Sequence, residues 1–185
     1  MRPRVVLEPL SANEHAPLVR RILASSSAEG RYRGFGPASS QESLDRILRE
    51  NVLCQSLLVD RSDQAVGLAQ CLVANFRHGT AQLGVALAPH VRRTGWPLLG
   101  VVLFVDEVFR SNRLRKLYVE VPANNIPQLS TGVHRLFQWE ATFAEHEYFE
   151  GGYQDVHFYS LTYERFQNEK QFQRLLRAAR RTESG

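Results

Sequence analysis

The stretch Gln82-Leu83-Gly84-Val85-Ala86-Leu87-Ala88-Pro89-His90-Val91-Arg92-Arg93-Thr94-Gly95-Trp96-Pro97 decides how this chain folds. Leu83, Val85 and Leu87 alternate with smaller or polar residues, which is the period of a half-buried strand. After Pro97 the apolar residues fall at Leu98, Val101, Val102, Val105, Val108 and Phe109, which is helical spacing. The period changes between Thr94 and Pro97, so a strand runs through a basic, glycine-containing turn into a helix. Backbone N–H groups at a helix start have no intrahelical partner and sit at the positive end of the helix dipole. An anion placed there meets several donors at once, and Arg92 and Arg93 add charge, so the stretch reads as a phosphate cradle.

Working outward, alternating strands and helices appear on both sides. Toward the N-terminus, Val5 to Leu10 reads as a strand, and Asn13 to Leu23 and Gln41 to Arg49 as helices, the second capped by Ser39 or Ser40. Ser25 to Pro37 breaks the periodicity with three glycines and a proline, and reads as a loop. Its Tyr32 and Phe35 either dock it on the core or cover a cleft. Gln55 to Asp60, Ala65 to Phe76 and Thr80 to Leu87 then form a meander, with Arg61 to Gln64 as the first turn. Toward the C-terminus, Lys116 to Val121 is a further strand, ending at Pro122-Ala123-Asn124-Asn125. A strand, a helix and a strand in that order argue for a right-handed parallel crossover. Glu140 to Phe149 and Val156 to Tyr163 complete a hairpin around Glu150-Gly151-Gly152. The class is α+β with a mixed sheet.

Composition narrows the function classes. With 185 residues and 43% hydrophobic content the chain is long enough for one domain with a real core. The net charge of +4 is concentrated after Gln167, where Lys170, Arg174, Arg177, Arg180 and Arg181 oppose Glu169 and Glu183. The rest is nearly neutral and lacks a nucleic-acid-binding motif, so no nucleic-acid partner is expected. No segment approaches the ~20 apolar residues of a membrane span, and no signal peptide is visible at the N-terminus. Cys54 and Cys71 lie in apolar, strand-like surroundings, which fits small hydrophobes in a reducing cytoplasm better than a disulfide framework. The six histidines show no metal-ligand spacing, and no metal is expected.

Three stretches together resemble the GNAT acyl-CoA N-acyltransferases, in the RimJ/RimL-type branch that includes ribosomal-protein N-terminal acetyltransferases. Ala81 to Pro89 followed by Arg92 to Pro97 is similar to the branch's A-E-L-G-Y-x-L-x-P strand and the superfamily's R/Q-x-x-G-x-G/A pyrophosphate loop. Val119-Glu120-Val121 running to Asn124-Asn125 looks like the strand and asparagine beside the pantetheine arm. Glu145-His146, Gly152-Tyr153, Asp155 and Tyr159-Ser160-Leu161 resemble the branch's ending E-H-x-Y-x-x-G-x-Y-x-D-x-x-x-Y-x-L.

The resemblance implies a GNAT fold: a mixed central sheet of about seven strands, helices on both faces and splayed central strands. It spans residues 1–166 as one acyltransferase domain, followed by a basic amphipathic helix or tail over 167–185. Phe172, Leu175, Leu176 and Ala179 define the apolar side of that helix. The implied activity is transfer of an acetyl or other short acyl group from acyl-CoA to a primary amine, by direct attack on the thioester. The implied co-substrate is acetyl-CoA or a related acyl-CoA, with a small-molecule or peptide amine as partner and a homodimer as the assembly. Leu87 and Ala88 would supply the backbone donor for the oxyanion. Arg92, Arg93, Thr94, Gly95, Trp96 and Pro97 would hold the pyrophosphate, and Asn124 or Asn125 would line the pantetheine slot.

Chemistry also needs a base, since an alkylammonium with a pKa near 10 is not a nucleophile until it loses a proton. Candidates are Glu120, Glu145 and His146. Ser130 stands where the family often has a tyrosine that reprotonates the leaving thiolate. Four positions depart from the family pattern. Gln82 replaces a common glutamate, Val85 a tyrosine, Leu136-Phe137 a Gly-Phe pair, and Pro97 a small residue with an N–H. Gln82, Pro97 and the missing tyrosine keep a second class open, a GNAT module that binds CoA or a protein partner without turnover.

Overall fold

The computed structural model describes residues 5–11, 14–27, 40–60, 62–92, 94–129 and 136–183. One seven-stranded sheet runs through it in the order β1-β2-β3-β4-β5-β7-β6. The strands are β1 (Val5–Pro9), β2 (Val52–Asp60), β3 (Ala65–Asn75), β4 (Thr80–Leu87), β5 (Lys116–Pro122), β6 (Gln138–Phe149) and β7 (Gly152–Thr162). The helices are α1 (Ala16–Ser27), α2 (Gln41–Arg49), α3 (Pro97–Ser111), α4 (Ile126–Leu129), α5 (Tyr163–Asn168) and α6 (Lys170–Glu183). All neighbouring strands are antiparallel except β4 and β5, which α3 connects as a parallel crossover.

Alternation along the strands assigns the two faces. Gln55 and Gln70, directly opposite each other on β2 and β3, turn toward α2: Gln70 donates to the Ile47 carbonyl at 3.2 Å and Gln55 to the Leu48 carbonyl at 3.0 Å. Leu58 and Val5 point the other way, under Gly100 of α3. A Cβ at Gly100 would lie 2.8 Å from Val5 Cγ2, so this glycine lets α3 sit close on β1 and β2. Ser40 caps α2, accepting from the Ser43 N–H at 3.2 Å.

Several expected boundaries shift. Helix α1 starts later, at Ala16 and not Asn13, because residues 14 and 15 form a turn in which the His15 N–H bonds the Ser11 carbonyl. It also runs on to Ser27 through what reads as the start of a loop. Ser25 Oγ donates back to the Ile22 carbonyl at 2.8 Å, one way a serine is accommodated inside a helix. Strand β2 begins at Val52 and not Gln55, β6 at Gln138 and not Glu140, and β7 at Gly152 and not Val156. The hairpin is therefore tighter than the apolar pattern alone suggests. Residues 28–39, with Ser39, Tyr32 and Phe35, lie outside the described residues.

The basic C-terminal helix belongs to the same core. Phe172, Leu176 and Ala179 are buried. The Phe166 ring lies 5.2 Å from Phe172 and 5.7 Å from Phe109 of α3. Asp106 of α3, 3% exposed, accepts from Arg180 at 2.8 Å and pairs with Arg110 at 3.0 Å, which ties α6 to α3. Cys54 and Cys71 face each other across β2 and β3 as free thiols, Cys71 fully buried. The hydrogen bond with Cys54, followed by burial, pushes the Cys71 thiol pKa up.

Candidate active site

The parallel ladder between β4 and β5 covers only Thr80↔Lys116, Ala81↔Leu117 and Gln82↔Tyr118. Beyond it both strands continue, β4 to Leu87 and β5 to Pro122, without pairing to each other. The central strands part there and leave a slot, as expected. The Ala88 N–H is bonded to the Val66 carbonyl of β3 at 2.8 Å. Strand alternation therefore turns the N–H groups of Val85 and Leu87 the opposite way, into the slot. Of the two donors expected at the strand end, Leu87 faces the slot and Ala88 does not. Val85 is a donor that the motif reading missed, although the alternation and the start of the splay point to it.

At the closed end of the slot, where the two strands begin to part, Gln82 Nε2 donates to Glu120 Oε1 at 2.6 Å. This bond joins β4 to β5 one step past the last ladder pair. It also gives Gln82 a role: the amide holds the carboxylate of the neighbouring strand.

The turn after β4 has the form that a phosphate cradle needs. Pro89–Val91 makes a short 3-10 turn, Gly95 has a left-handed φ of +79°, and Pro97 takes the first position of α3. No atom lies within 4 Å of where a Gly95 Cβ would stand, so φ and not space demands the glycine. Among the described residues the N–H groups of Gly95, Trp96 and Leu98 have no hydrogen-bond partner. Thr94 Oγ1 donates to the Val91 carbonyl at 2.6 Å, which closes the turn.

Arg92 Nε donates to the Leu87 carbonyl at 3.0 Å and its Nη2 to Ser25 Oγ at 3.4 Å, so the side chain also ties the strand end to α1. Arg93 and Ser130 lie outside the described residues.

Asn124 and Asn125 form a 3-10 turn at the end of β5, with the Asn124 N–H donating to Gln154 Oε1 of β7 at 3.3 Å. They therefore border the open end of the slot. Glu145 and His146 sit elsewhere. They lie in a bulge of β6, the outermost strand, which β7 separates from β5. Asp155 fixes this bulge by accepting from the Glu145 N–H at 2.9 Å, and the His146 ring stands edge-on to Phe143 at 5.2 Å. Neither converges with Glu120 on the slot.

A second polar group lies deeper on the same sheet face. Lys116 pairs with Glu140, which also accepts from the buried Ser160 hydroxyl at 2.6 Å. Burial alone would raise the Glu140 pKa, but the hydrogen bonds from Lys116 and Ser160 and the lysine charge outweigh it, and the carboxyl lies below its ordinary value. The same pair holds the Lys116 ammonium above its ordinary value, against the burial that would lower it. Glu140 is thus a fixed, partnered anion. Among the described residues no group of three His, Cys, Asp or Glu is placed to hold a metal ion, and no helix is long and apolar enough to cross a membrane.

The sheet order, the parallel β4–β5 pair, its splay and the glycine turn into α3 together define the GNAT fold, and solved GNAT structures superpose on the chain over most of its length. Spermidine N-acetyltransferase from Vibrio cholerae, in a complex with CoA and spermine, matches with a TM-score of 0.77 at 19% identity, over 89% of this chain and 99% of that one. A chimera of that enzyme with hSSAT matches with a TM-score of 0.76 at 19% identity, over 90% of this chain and 99% of that one. A probable acetyltransferase of the GNAT family from Chromobacterium violaceum matches with a TM-score of 0.72 at 21% identity, over 89% of this chain and 85% of that one. No protein-family model and no curated protein matches the chain.

Proposed function

We propose that this chain is a cytoplasmic N-acyltransferase of the RimJ/RimL type, transferring an acetyl or other short acyl group from acyl-CoA to a primary amine. The observation that carries the reading is the Gln82–Glu120 bond at the closed end of the slot. Neighbours of the same fold are an N-acetyltransferase of spermidine solved with CoA and a GNAT-family protein, which supports the same chemistry here.

The residues fit the donor. The N–H groups of Gly95, Trp96 and Leu98, with the α3 dipole behind them, would hold its pyrophosphate. Thr94 and Arg93 would complete that turn, while Pro97 contributes the helix start and no N–H. Asn124 and Asn125 would flank the pantetheine arm. What acyl-CoA supplies is an activated thioester carbonyl.

The protein's part is to position the amine, take its proton and stabilise the charge that develops on the carbonyl oxygen. Leu87 and Ala88 adjoin the phosphate turn, whereas the thioester lies a whole pantetheine arm away. Val85, deeper in the slot and nearer Glu120, is therefore the better oxyanion donor. Glu120 accepts the ammonium proton. Its position beside the slot, and its hydrogen bond from Gln82, favour it over Glu145 and His146 on the outer strand. The Gln82 amide fixes the orientation of the carboxylate. Ser130 follows the asparagine turn in sequence and is the proton donor to the thiolate in this scheme. The unpaired outer edge of β6 offers a homodimer contact.

This arrangement speaks for turnover over the non-catalytic module, because Gln82 supports a carboxylate and does not simply replace one. Calorimetric titration of CoA into the purified protein tests the donor site. One CoA per chain, with a rise in melting temperature by mass action, is expected. No heat and no thermal shift at millimolar CoA would refute it.

A further inference from the structure

A row of side chains leads away from Glu120 along the sheet face. Phe158 on β7 is its register partner, so the two side chains are cross-strand neighbours on one face. The Phe143 ring of β6 lies 4.4 Å from Phe158, and the His146 ring stands edge-on to Phe143 at 5.2 Å and 74°. Phe143 is 48% exposed, and Phe158 is half-buried. The result is an open aromatic shelf whose inner end is the carboxylate at the slot.

The charges around the shelf are unsuited to a polycation. On this face of β5, β6 and β7, Glu140 is held by Lys116 and Ser160. Glu147, opposite Gln154 farther along the hairpin, has its Oε2 buried away from solvent. Along this row of described residues a ligand with several ammonium groups would meet the Glu120 carboxylate and then rings. A ligand with one ammonium group and a flat apolar body matches the row: the nitrogen meets Glu120, and the body stacks on faces and edges that already prefer tilted ring contacts.

Resting on the acyl-transfer reading above, we infer that the acceptor is a monoamine with an aromatic group on its carbon skeleton, seated on the Phe158–Phe143–His146 shelf. An arylalkylamine is the simplest member of the class. In the reaction the ammonium gives one proton to Glu120, its nitrogen forms the amide bond as the C–S bond of the thioester breaks, and the second proton lost by the nitrogen balances the one gained by the thiolate, so CoA leaves as thiol.

The test compares kcat/KM for 2-phenylethylamine, butylamine and spermidine with acetyl-CoA, in the native protein and in Phe143→Ala and Phe143→Leu. The expected order places 2-phenylethylamine first, at least tenfold ahead of spermidine. Phe143→Ala should cut kcat/KM for 2-phenylethylamine about tenfold, the worth of a good ring pair, and change butylamine less than twofold. Phe143→Leu, which keeps apolar bulk, should still lose most of the aromatic preference. Spermidine as the best substrate, or an aromatic preference that survives both substitutions, would overturn the inference while leaving the acyltransferase reading intact. CoA binding with no transfer to any of the amines would overturn both.

Discussion

Replacing Glu120 by glutamine removes the proposed proton acceptor and keeps the Gln82 contact. The new side chain has the same shape, and its carbonyl oxygen can still accept from Gln82 Nε2, now 2.6 Å from Glu120 Oε1. Stability should therefore change by less than about 1 kcal/mol, the range of one exchanged hydrogen bond. Catalysis should change far more. Positioned bases contribute roughly 10²–10⁴-fold, or about 2.7–5.4 kcal/mol of barrier. An acceptor amine with a pKa near that of lysine, roughly 10.4, is about three units or more from deprotonation at pH 7, a deficit of about 4–5 kcal/mol that the base would otherwise cover. The assay is thiol release from acetyl-CoA between pH 6 and about 10, the upper end set by the amine. The variant should run at least about a hundredfold slower at pH 7 and should gain nearly tenfold per pH unit, as its rate follows the free amine alone. The native profile should be flatter. Glu120→Gln with activity within threefold of native at pH 7, or with an unchanged pH profile, would refute the assignment.

Other expectations follow from packing and charge. Gly100→Ala would place a methyl 2.8 Å from Val5 Cγ2 and 3.0 Å from Leu58 Cδ2. The overpacking, about 1–3 kcal/mol, should exceed the gain of about 1 kcal/mol in helix propensity, so urea denaturation should show a net loss. Gly95→Ala has room for its methyl but must hold a φ of +79°, so it should cost roughly 1–2 kcal/mol of local strain and weaken CoA binding in calorimetry more than it lowers the melting temperature. Glu140→Gln should lower stability at neutral pH by about 1–3 kcal/mol, because it leaves Lys116 without its carboxylate. Since the Glu140 pKa is depressed, that contribution is complete above its ordinary value of 4.5 and fades as pH falls through the lower folded-state value. Denaturation curves of native and variant should accordingly converge in acid. The raised Lys116 pKa has the opposite sign: its contribution is complete below 10.5 and fades as pH rises through the folded-state value.

What the sequence disclosed and what it hid differ in range. The β4 strand, the Gly95 turn and the α3 start are all local, and one change of hydrophobic period reveals them together. The parallel crossover follows, because a strand, a helix and a strand leave little topological choice. The Gln82–Glu120 bond is of another kind. Its partners lie 38 residues apart, and only the β4–β5 register brings them side by side. Taken as a sequence position, Gln82 looks like a lost acid; in the fold it is the support for one.

Similarly, Arg92 reads as a phosphate ligand from its place in the turn, and its guanidinium also bonds the Leu87 carbonyl and Ser25, which no local pattern announces. Glu145 and His146 look catalytic by motif, yet β7 intervenes between them and the slot. The aromatic shelf escaped for the same reason: Phe143 and Phe158 meet only through the hairpin register, which a bulge after Phe143 interrupts.

Everything above rests on acyl transfer to an amine at the β4–β5 slot. Incubating the protein with acetyl-CoA and 2-phenylethylamine, butylamine and spermidine in parallel, and weighing the products by mass spectrometry, tests it directly. The expected product is an amine heavier by one acetyl group, formed in step with free CoA thiol and lost in Glu120→Gln. No acetylated amine from any member of the panel, or equal yields from the native protein and Glu120→Gln, would contradict it.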